Sequence, residues 1–261
     1  MPEEFLYDVS EIWILLAIIV LFIASYKAGF RFGRKSQEID DNSRSQINNV
    51  QAAMLGLLAL LLAFSSSMAV SRYDIRKNLA VEESNAIGTA YLRAKFLSGR
   101  LCDRAEELLK DYAKLRLSFY DKNLGKERAA ADYAHAEQIH KQLWTIAAAA
   151  TAEDNRSVSS GLFAQSINEV IDLHTKRVAA TDNHVPESIL CLLIIASVFS
   201  FGLMGYSAGM AGKQRLLSPT IFIIVVSITF MTILDLDRPR RGLIRVNQQS
   251  MIELNRSLEM K

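Results

Sequence analysis

Cysteine and proline are scarce in this sequence. The 261 residues include two cysteines and four prolines. Cys102 lies in a charged stretch and Cys191 in an apolar one, so neither a disulfide framework nor a Cys-x-x-Cys metal or redox site can form. No proline falls between residues 72 and 185, and glycine is sparse there. Helix is therefore the default conformation for that segment.

The sequence also lacks the motifs of nucleotide-binding enzymes. It contains no Walker loop and no G-x-G-x-x-G. The histidines have no metal-ligand spacing, and we expect surface or packing roles for His135, His140, His174 and His184. We expect no cofactor, no metal and no enzymatic activity. An intramembrane hydrolase is a distant alternative without a visible nucleophile and base.

Neither acidic nor basic residues dominate the sequence. The net charge is +2, and the basic residues are scattered or balanced by acids, so nucleic acid is excluded as a partner. The first apolar run follows Glu3, Glu4, Asp8 and Glu11 without any Lys or Arg. A cleavable signal peptide carries a basic leader instead, so we expect this run to be a retained helix.

Four long apolar runs are present, at residues 12–32, 50–71, 189–211 and 216–234. Each approaches the ~20 residues that carry a helix through a ~30 Å hydrocarbon layer. The sequence predicts an all-α membrane protein with four transmembrane helices and a helical bundle inserted between the second and third. The predicted domains are 1–71, 72–185, 186–235 and a C-terminal tail, 236–261.

The inserted segment predicts three or four helices. Apolar residues continue at helical spacing beyond the second run, so that helix is expected to extend into the bundle without a break. Further helices are predicted at 104–120, 129–150 and 159–180, with turns at 123–125 and 153–155. A bundle of this size can bury its own core.

Basic residues set the expected orientation. The acidic N-terminus and the cluster Arg31, Arg34, Lys35 and Arg44 flank the first run, which places the first link in the cytoplasm. The helical domain would then be periplasmic in a bacterial inner membrane. Arginines that follow the fourth run, Arg238 among them, oppose this assignment.

A polar stripe follows the second run along one helical face. Ser67, Ser71, Asp74 and Asn78 recur at steps of three or four. Polar side chains at membrane depth need water or one another, so the stripe could line a hydrated ion pathway. Alternatively, the serines bond to their own helix and the later residues form a solvated surface.

Small residues recur at the spacing of closely packed membrane helices. Gly56 in the second run and Gly205 and Gly209 in the third are candidates. The contact could lie within one subunit or between subunits.

Two carboxylates end the fourth run. Asp235 and Asp237 meet the negative end of the helix dipole, which costs stability unless a cation compensates. A structural cluster with Arg238 and its neighbours is one interpretation. A ring that attracts ions at a pore mouth is the other.

The motif Asp237-Arg238-Pro239-x-x-Gly242-x-Ile244-x-Val246, the stretch 57–69 before Tyr73-Asp74, and the helix layout resemble the bacterial "bestrophin-like" membrane-protein family. By analogy with bestrophins, the resemblance implies an oligomeric ion channel lined by the second helix. Phe64 is the only aromatic residue of that run before Tyr73, unlike an aromatic-rich bestrophin neck, and the acidic residues suit cations at least as well as anions.

Two functions follow. The first is a homo-oligomeric ion channel of the bacterial inner membrane, whose partners are the lipid bilayer, further copies of itself and inorganic ions. The second is a non-conducting sensor or scaffold whose helical domain binds a partner.

Overall fold

The structure is a computed structural model that describes residues 11–36, 40–118, 126–153, 157–212, 217–238 and 243–260. Within these ranges the chain forms helices and no strands, which confirms the predicted fold class. The helices are α1 Glu11–Lys35, α2 Asp41–Ala94, α3 Gly99–Ser118, α4 Lys126–Glu153, α5 Val158–Asp182, α6 Glu187–Met210, α7 Leu217–Asp237 and α8 Gln249–Glu259. Four helices are long and apolar enough to cross a membrane: α1, α2, α6 and α7. The predicted turns at 123–125 and 153–155 lie largely outside the described residues.

The chain divides into two compact units. Unit 1 comprises Met1–Arg72, His184–Arg238 and Gly242–Ile244, and unit 2 comprises Tyr73–Asn183, Pro239–Arg241 and Arg245–Lys261. Helix α2 is a single 54-residue helix, as expected from its uninterrupted helical pattern.

In unit 1, α1 packs along α6. Phe22 of α1 and Phe201 of α6 are fully buried, with ring centroids 5.0 Å apart. Ser25 adds a polar contact, since its hydroxyl donates to the Val198 carbonyl at 2.6 Å. Such a bond between helices satisfies a hydroxyl that would otherwise face hydrocarbon.

Glycines bring the two helices together. A Cβ built on Gly205 would lie 2.0 Å from the Tyr26 carbonyl oxygen, and one on Gly29 would lie 1.9 Å from the Gly202 carbonyl oxygen. Gly209 is equally close to the α1 backbone, with 2.3 Å between its added Cβ and a carbonyl oxygen. The α1–α6 contact is thus backbone against backbone, which only glycine permits at these positions.

In unit 2, the helices form a bundle around an apolar core. Its members are the part of α2 from Tyr73 onward together with α3, α4, α5 and α8. The large, fully buried side chains of this core include Tyr91, Leu109, Tyr112, Leu143, Phe163 and Ile167.

Helix α8 belongs to this core, although the sequence assigned no helix to the tail 236–261. Met251 and Leu258 are buried at seven-residue spacing, and Leu254 packs against the same cluster. The amide of Asn255 donates to the Ala113 carbonyl at 3.1 Å and fixes α8 on α3. The helix has only 11 residues, and a short amphipathic stretch after the arginine-rich segment gave a weak signal.

Candidate functional site

The polar residues of the second run lie on an exposed part of α2. In unit 1, Ser67 and Ser71 are exposed one turn apart. In unit 2, Asp74 and Asn78 are exposed at the same spacing. None of the four side chains makes a hydrogen bond or ion pair with another described residue.

The neighbouring serine behaves differently. Ser65 is buried, and its hydroxyl donates to the Leu61 carbonyl of its own helix at 2.8 Å. Back-bonding of this kind was the competing explanation for the whole serine group. It holds for Ser65, whereas no bond to a helix carbonyl is present for Ser67 or Ser71.

The exposed face of α2 in unit 1 changes character along the helix. Leu57, Leu60 and Phe64 are large apolar side chains that are 47 to 65% exposed, and Ser67 and Ser71 follow at helical spacing. A helix face that is apolar and then polar suits contact with lipid or another subunit, followed by contact with water.

Gly56 also lies on exposed surface of α2. A Cβ added there would meet nothing within 4 Å among the described residues of the chain. Gly56 therefore differs from Gly205 and Gly209, which contact α1 within the protomer. Of the two expected roles, close packing inside one subunit describes Gly205 and Gly209.

The carboxylate of Asp235 is buried and holds the chain that follows α7. Its Oδ1 accepts from the Leu243 N–H at 2.6 Å, and its Oδ2 accepts from the Ile244 N–H at 2.8 Å. The side chain is 5% exposed. Two backbone donors therefore compensate the charge that the helix dipole disfavours.

Asp237 and Arg238 are buried as well. Oδ2 of Asp237 accepts from the Val185 N–H at 2.8 Å and lies 3.3 Å from Nδ1 of His184. This contact ties the end of α7 to the residues that precede α6. A ring that attracts ions would need these carboxylates to face water, so their burial favours the structural interpretation of Asp235, Asp237 and Arg238.

A cluster of charged side chains that the sequence analysis did not predict lies inside unit 2. Glu83 of α2 is fully buried between Arg116 of α3 and Arg177 of α5, and Tyr112 donates to it at 2.7 Å. The Nε of Arg116 lies 3.0 Å from Oε1 of Glu83, and Arg177 donates to Oε2. A partial signal exists, because Glu83 lies on the apolar side of α2 between Ala80 and Ile87.

Two histidines complete this cluster. The rings of His140 on α4 and His174 on α5 have centroids 4.8 Å apart, and Tyr112 lies 4.8 Å from His140. Nδ1 of His174 is 3.2 Å from the Tyr112 hydroxyl. These contacts agree with the packing role expected for the histidines. In the described part of the chain, no three His, Cys, Asp or Glu side chains form a group that could hold a metal ion.

Burial and charge shift the titration of the cluster. Burial lowers the pKa of His140 to about 4, and burial together with the Arg116 charge lowers the pKa of His174 to about 4. Burial alone would raise the pKa of Glu83, but Arg116 and Arg177 outweigh it, and the pKa is lowered. Both histidines are therefore neutral and Glu83 is ionised near pH 7.

The fold and these features define a class: a multi-pass helical membrane protein with an extramembrane helical bundle. A family model described as Bestrophin-like domain matches residues 16–251. The chain belongs to the bestrophin-like family. No curated protein matches the sequence.

Solved structures share the fold. A bacterial bestrophin homologue from Klebsiella pneumoniae is 16% identical, with a TM-score of 0.65, over 95% of this chain and 97% of the homologue. A mutant of the same homologue gives the same identity and coverage with a TM-score of 0.64. At this identity the likeness establishes the fold, and residue roles rest on this chain alone.

Proposed function

We propose that this protein is a homo-oligomeric ion channel of the bacterial inner membrane and that α2 lines its ion pathway. Family membership supports a channel-like role, because the bestrophin-like resemblance implies an oligomeric channel lined by the second helix. The helical domain of unit 2 is proposed to be periplasmic, on the basis of the basic residues near the first link.

One observation carries the proposal: Ser67 and Ser71 are exposed within a candidate membrane span and are bonded to no described residue. Hydroxyl groups that face hydrocarbon normally bond back to the helix or across to a neighbour. Water along this face of α2 would satisfy both hydroxyls. A hydrated face is what an ion pathway needs.

A single α2 cannot enclose a pathway, so the proposal includes several copies of the chain. The exposed apolar side chains Leu57, Leu60 and Phe64, together with Gly56, offer surface for neighbouring subunits. Contacts through small residues and apolar side chains are typical of helices that associate in lipid.

Asp74 is proposed to set the charge near the pathway. It is exposed and is the only charged group among the four candidate pathway residues. One carboxylate per subunit, repeated around an axis, would attract cations and repel anions. Cations are therefore the first ions to test.

The test is ion flux through liposomes that contain the purified protein. Wild-type protein should pass Na⁺ or K⁺, Asp74→Asn should lower the cation flux, and Ser67→Leu should reduce all flux. Asp103→Asn is the matched control, because Asp103 is an exposed aspartate that belongs to α3 and not to α2. Absence of flux from wild-type protein at every voltage, pH and Ca²⁺ concentration would overturn the proposal.

A non-conducting sensor or scaffold is the second candidate. Trp144 of α4 is 49% exposed beside a shallow groove of about 400 Å³, lined also by Ala147, Ala148, Thr151, Ala152 and Ala164. An exposed tryptophan next to small side chains suits a protein contact. If flux is absent, a pull-down that depends on Trp144 would favour this function.

A further inference from the structure

We propose that the buried charge cluster of unit 2 is an acid-responsive element: protonation of His140 and His174 loosens α4 and α5 from α2 and α3. The proposal concerns the bundle itself and does not depend on ion conduction.

The two imidazoles are surrounded by ionisable and polar groups from each helix packed against them. Those groups are Glu83 of α2, Tyr112 and Arg116 of α3, Tyr133 of α4 and Arg177 of α5. Among them, one carboxylate faces two guanidinium groups. The described groups around the imidazoles therefore carry one negative and two positive charges before either histidine takes up a proton.

The carboxylate of that cluster is already engaged. The carboxylate of Glu83 accepts from Tyr112, Arg116 and Arg177. A newly formed imidazolium would add a third cation to an interior in which Glu83 is the one described carboxylate that acts on it. Charges that enter a protein interior unpaired are strongly unfavourable.

The hydrogen-bonding state of His174 follows from the position of Tyr112. The one hydroxyl proton of Tyr112 goes to Glu83, so its oxygen accepts from the Nδ1–H of His174. The proton of this neutral tautomer lies on Nδ1, and acid must protonate Nε2. The Nε2 atom of His140 is buried and has no hydrogen-bond partner among the described residues.

The direction of the response follows from these contacts. Both pKa values are lowered from 6.5 to about 4 in the packed bundle, whereas an opened bundle would restore water around the rings. Between pH 4 and pH 6.5, the two histidines therefore bind more protons in the open form than in the closed form. Acidification from pH 6.5 toward 4 therefore shifts the population toward the open form.

The chain contains a built-in probe of this opening. Trp144 lies on α4, one helical turn after His140, and the other of the two tryptophans is Trp13 in α1. In a Trp13→Phe background, the fluorescence of the detergent-solubilised protein reports on Trp144 alone. Amide hydrogen exchange of α4 and α5 provides a second readout of the same opening.

The experiment is a titration from about pH 7.5 to about pH 3.5. Wild-type protein should show a reversible change in Trp144 emission and faster exchange in α4 and α5 as the pH falls below about 6.5. His140→Phe with His174→Asn keeps a ring at one position and, at the other, an amide that can donate to the Tyr112 oxygen. This double variant should move the transition down by about one pH unit or more.

His135→Gln is the matched control, because His135 is exposed on the same helix. It should titrate like wild-type protein. The proposal is overturned if wild-type protein shows no transition above about pH 4, or if the double variant titrates like wild type. If the double variant fails to fold, the same titration is carried out on His140→Phe alone, and the proposal is overturned if this variant titrates like wild type. A phenyl ring is a suitable replacement, because Nε2 of His140 makes no hydrogen bond with a described residue that the substitution would remove. Neither readout measures flux, so this result and that of the channel test remain separable.

Discussion

The hydroxyl of Tyr112 donates a 2.7 Å hydrogen bond to Oε1 of Glu83 at a point where both side chains have no exposure to solvent. The bond joins α3 to α2, and Arg177 on α5 donates to the same carboxylate. One buried side chain of α2 is thus the shared acceptor of two neighbouring helices. Because buried charges are stable only with their partners, the integrity of unit 2 depends on Glu83.

Replacement of Glu83 should destabilise the bundle strongly. In Glu83→Gln the guanidinium groups of Arg116 and Arg177 lose their counter-charge in the interior. Removal of one partner from a buried ion pair costs about 3–5 kcal/mol. The free energy of unfolding, measured by chemical denaturation of the purified protein, should fall by that amount.

The adjacent glutamate is the control for this change. Glu82 is exposed on α2, so Glu82→Gln should change the free energy of unfolding by no more than about 0.5 kcal/mol. Equal effects from the two substitutions would contradict the role given to Glu83.

The stability of unit 2 should depend on pH in two stages. The lowered pKa values of His140 and His174, about 4 in the folded bundle, mean that unfolding takes up protons below pH 6.5, so stability declines from there toward pH 4. The lowered pKa of Glu83 adds a further loss as the pH falls through its folded value. Thermal unfolding monitored by circular dichroism should therefore show lower midpoints at pH 5 than at pH 7. A midpoint that rises between those values would contradict this assignment.

The fold was predictable from the sequence because its signals are local. Apolar runs of about 20 residues mark the spans, and the absence of proline across residues 72–185 left helix as the default. The cluster around Glu83 was not predictable, because Glu83, Tyr112 and Arg177 are separated by 29 to 94 residues. Charged residues on amphipathic helices are usually solvated, so the position of Glu83 between Ala80 and Ile87 is only a partial signal of its burial.

The glycine contact between α1 and α6 was likewise only partly predictable from the sequence. The spacing of Gly205 and Gly209 predicted a close helix contact, and their partner helix appears only in the structure. Gly29 and Gly33 of α1 have the same four-residue spacing, and a Cβ built on either would lie about 2 Å from a carbonyl oxygen of α6. Spacing identifies a small-residue face, but the choice of partner depends on tertiary packing.

A methyl group at Gly205 should therefore disrupt unit 1. Its Cβ would lie 2.0 Å from the Tyr26 carbonyl oxygen, so α1 must move away from α6. Overpacking of this kind costs about 1–3 kcal/mol. Gly205→Ala should lower the thermal midpoint of the solubilised protein.

Gly161→Ala is the matched control, since no described residue lies within 4 Å of a Cβ built at Gly161 on α5. Removal of a helical glycine stabilises by about 0.5–1 kcal/mol, so this midpoint should stay or rise. If Gly205→Ala behaves in the same way, the close contact between α1 and α6 is not essential to the packing.

Substitutions at Asp235 and Asp74 should change different properties of the protein: its stability in the first case and its ion conduction in the second. Asp235→Asn replaces one acceptor oxygen with an NH₂ group, so either the Leu243 or the Ile244 N–H loses its partner in a partly buried site. A hydrogen bond to a charged group is worth about 1.5–3 kcal/mol, so its loss should appear as a lower unfolding midpoint. Asp74→Asn, on an exposed face, should leave the midpoint within the error of wild type and lower the cation flux.

The opposite pattern would reverse the roles of the two aspartates. Suppose that Asp235→Asn left the unfolding midpoint unchanged and altered the ion flux. The carboxylate of Asp235 would then have to face ions in the assembled protein, as the pore-mouth interpretation requires. If Asp74→Asn lowered the midpoint instead, its carboxylate would have a structural partner in a neighbouring subunit. Measurement of both quantities on both variants therefore locates the charge that ions meet, because burial and exposure predict opposite results for each residue.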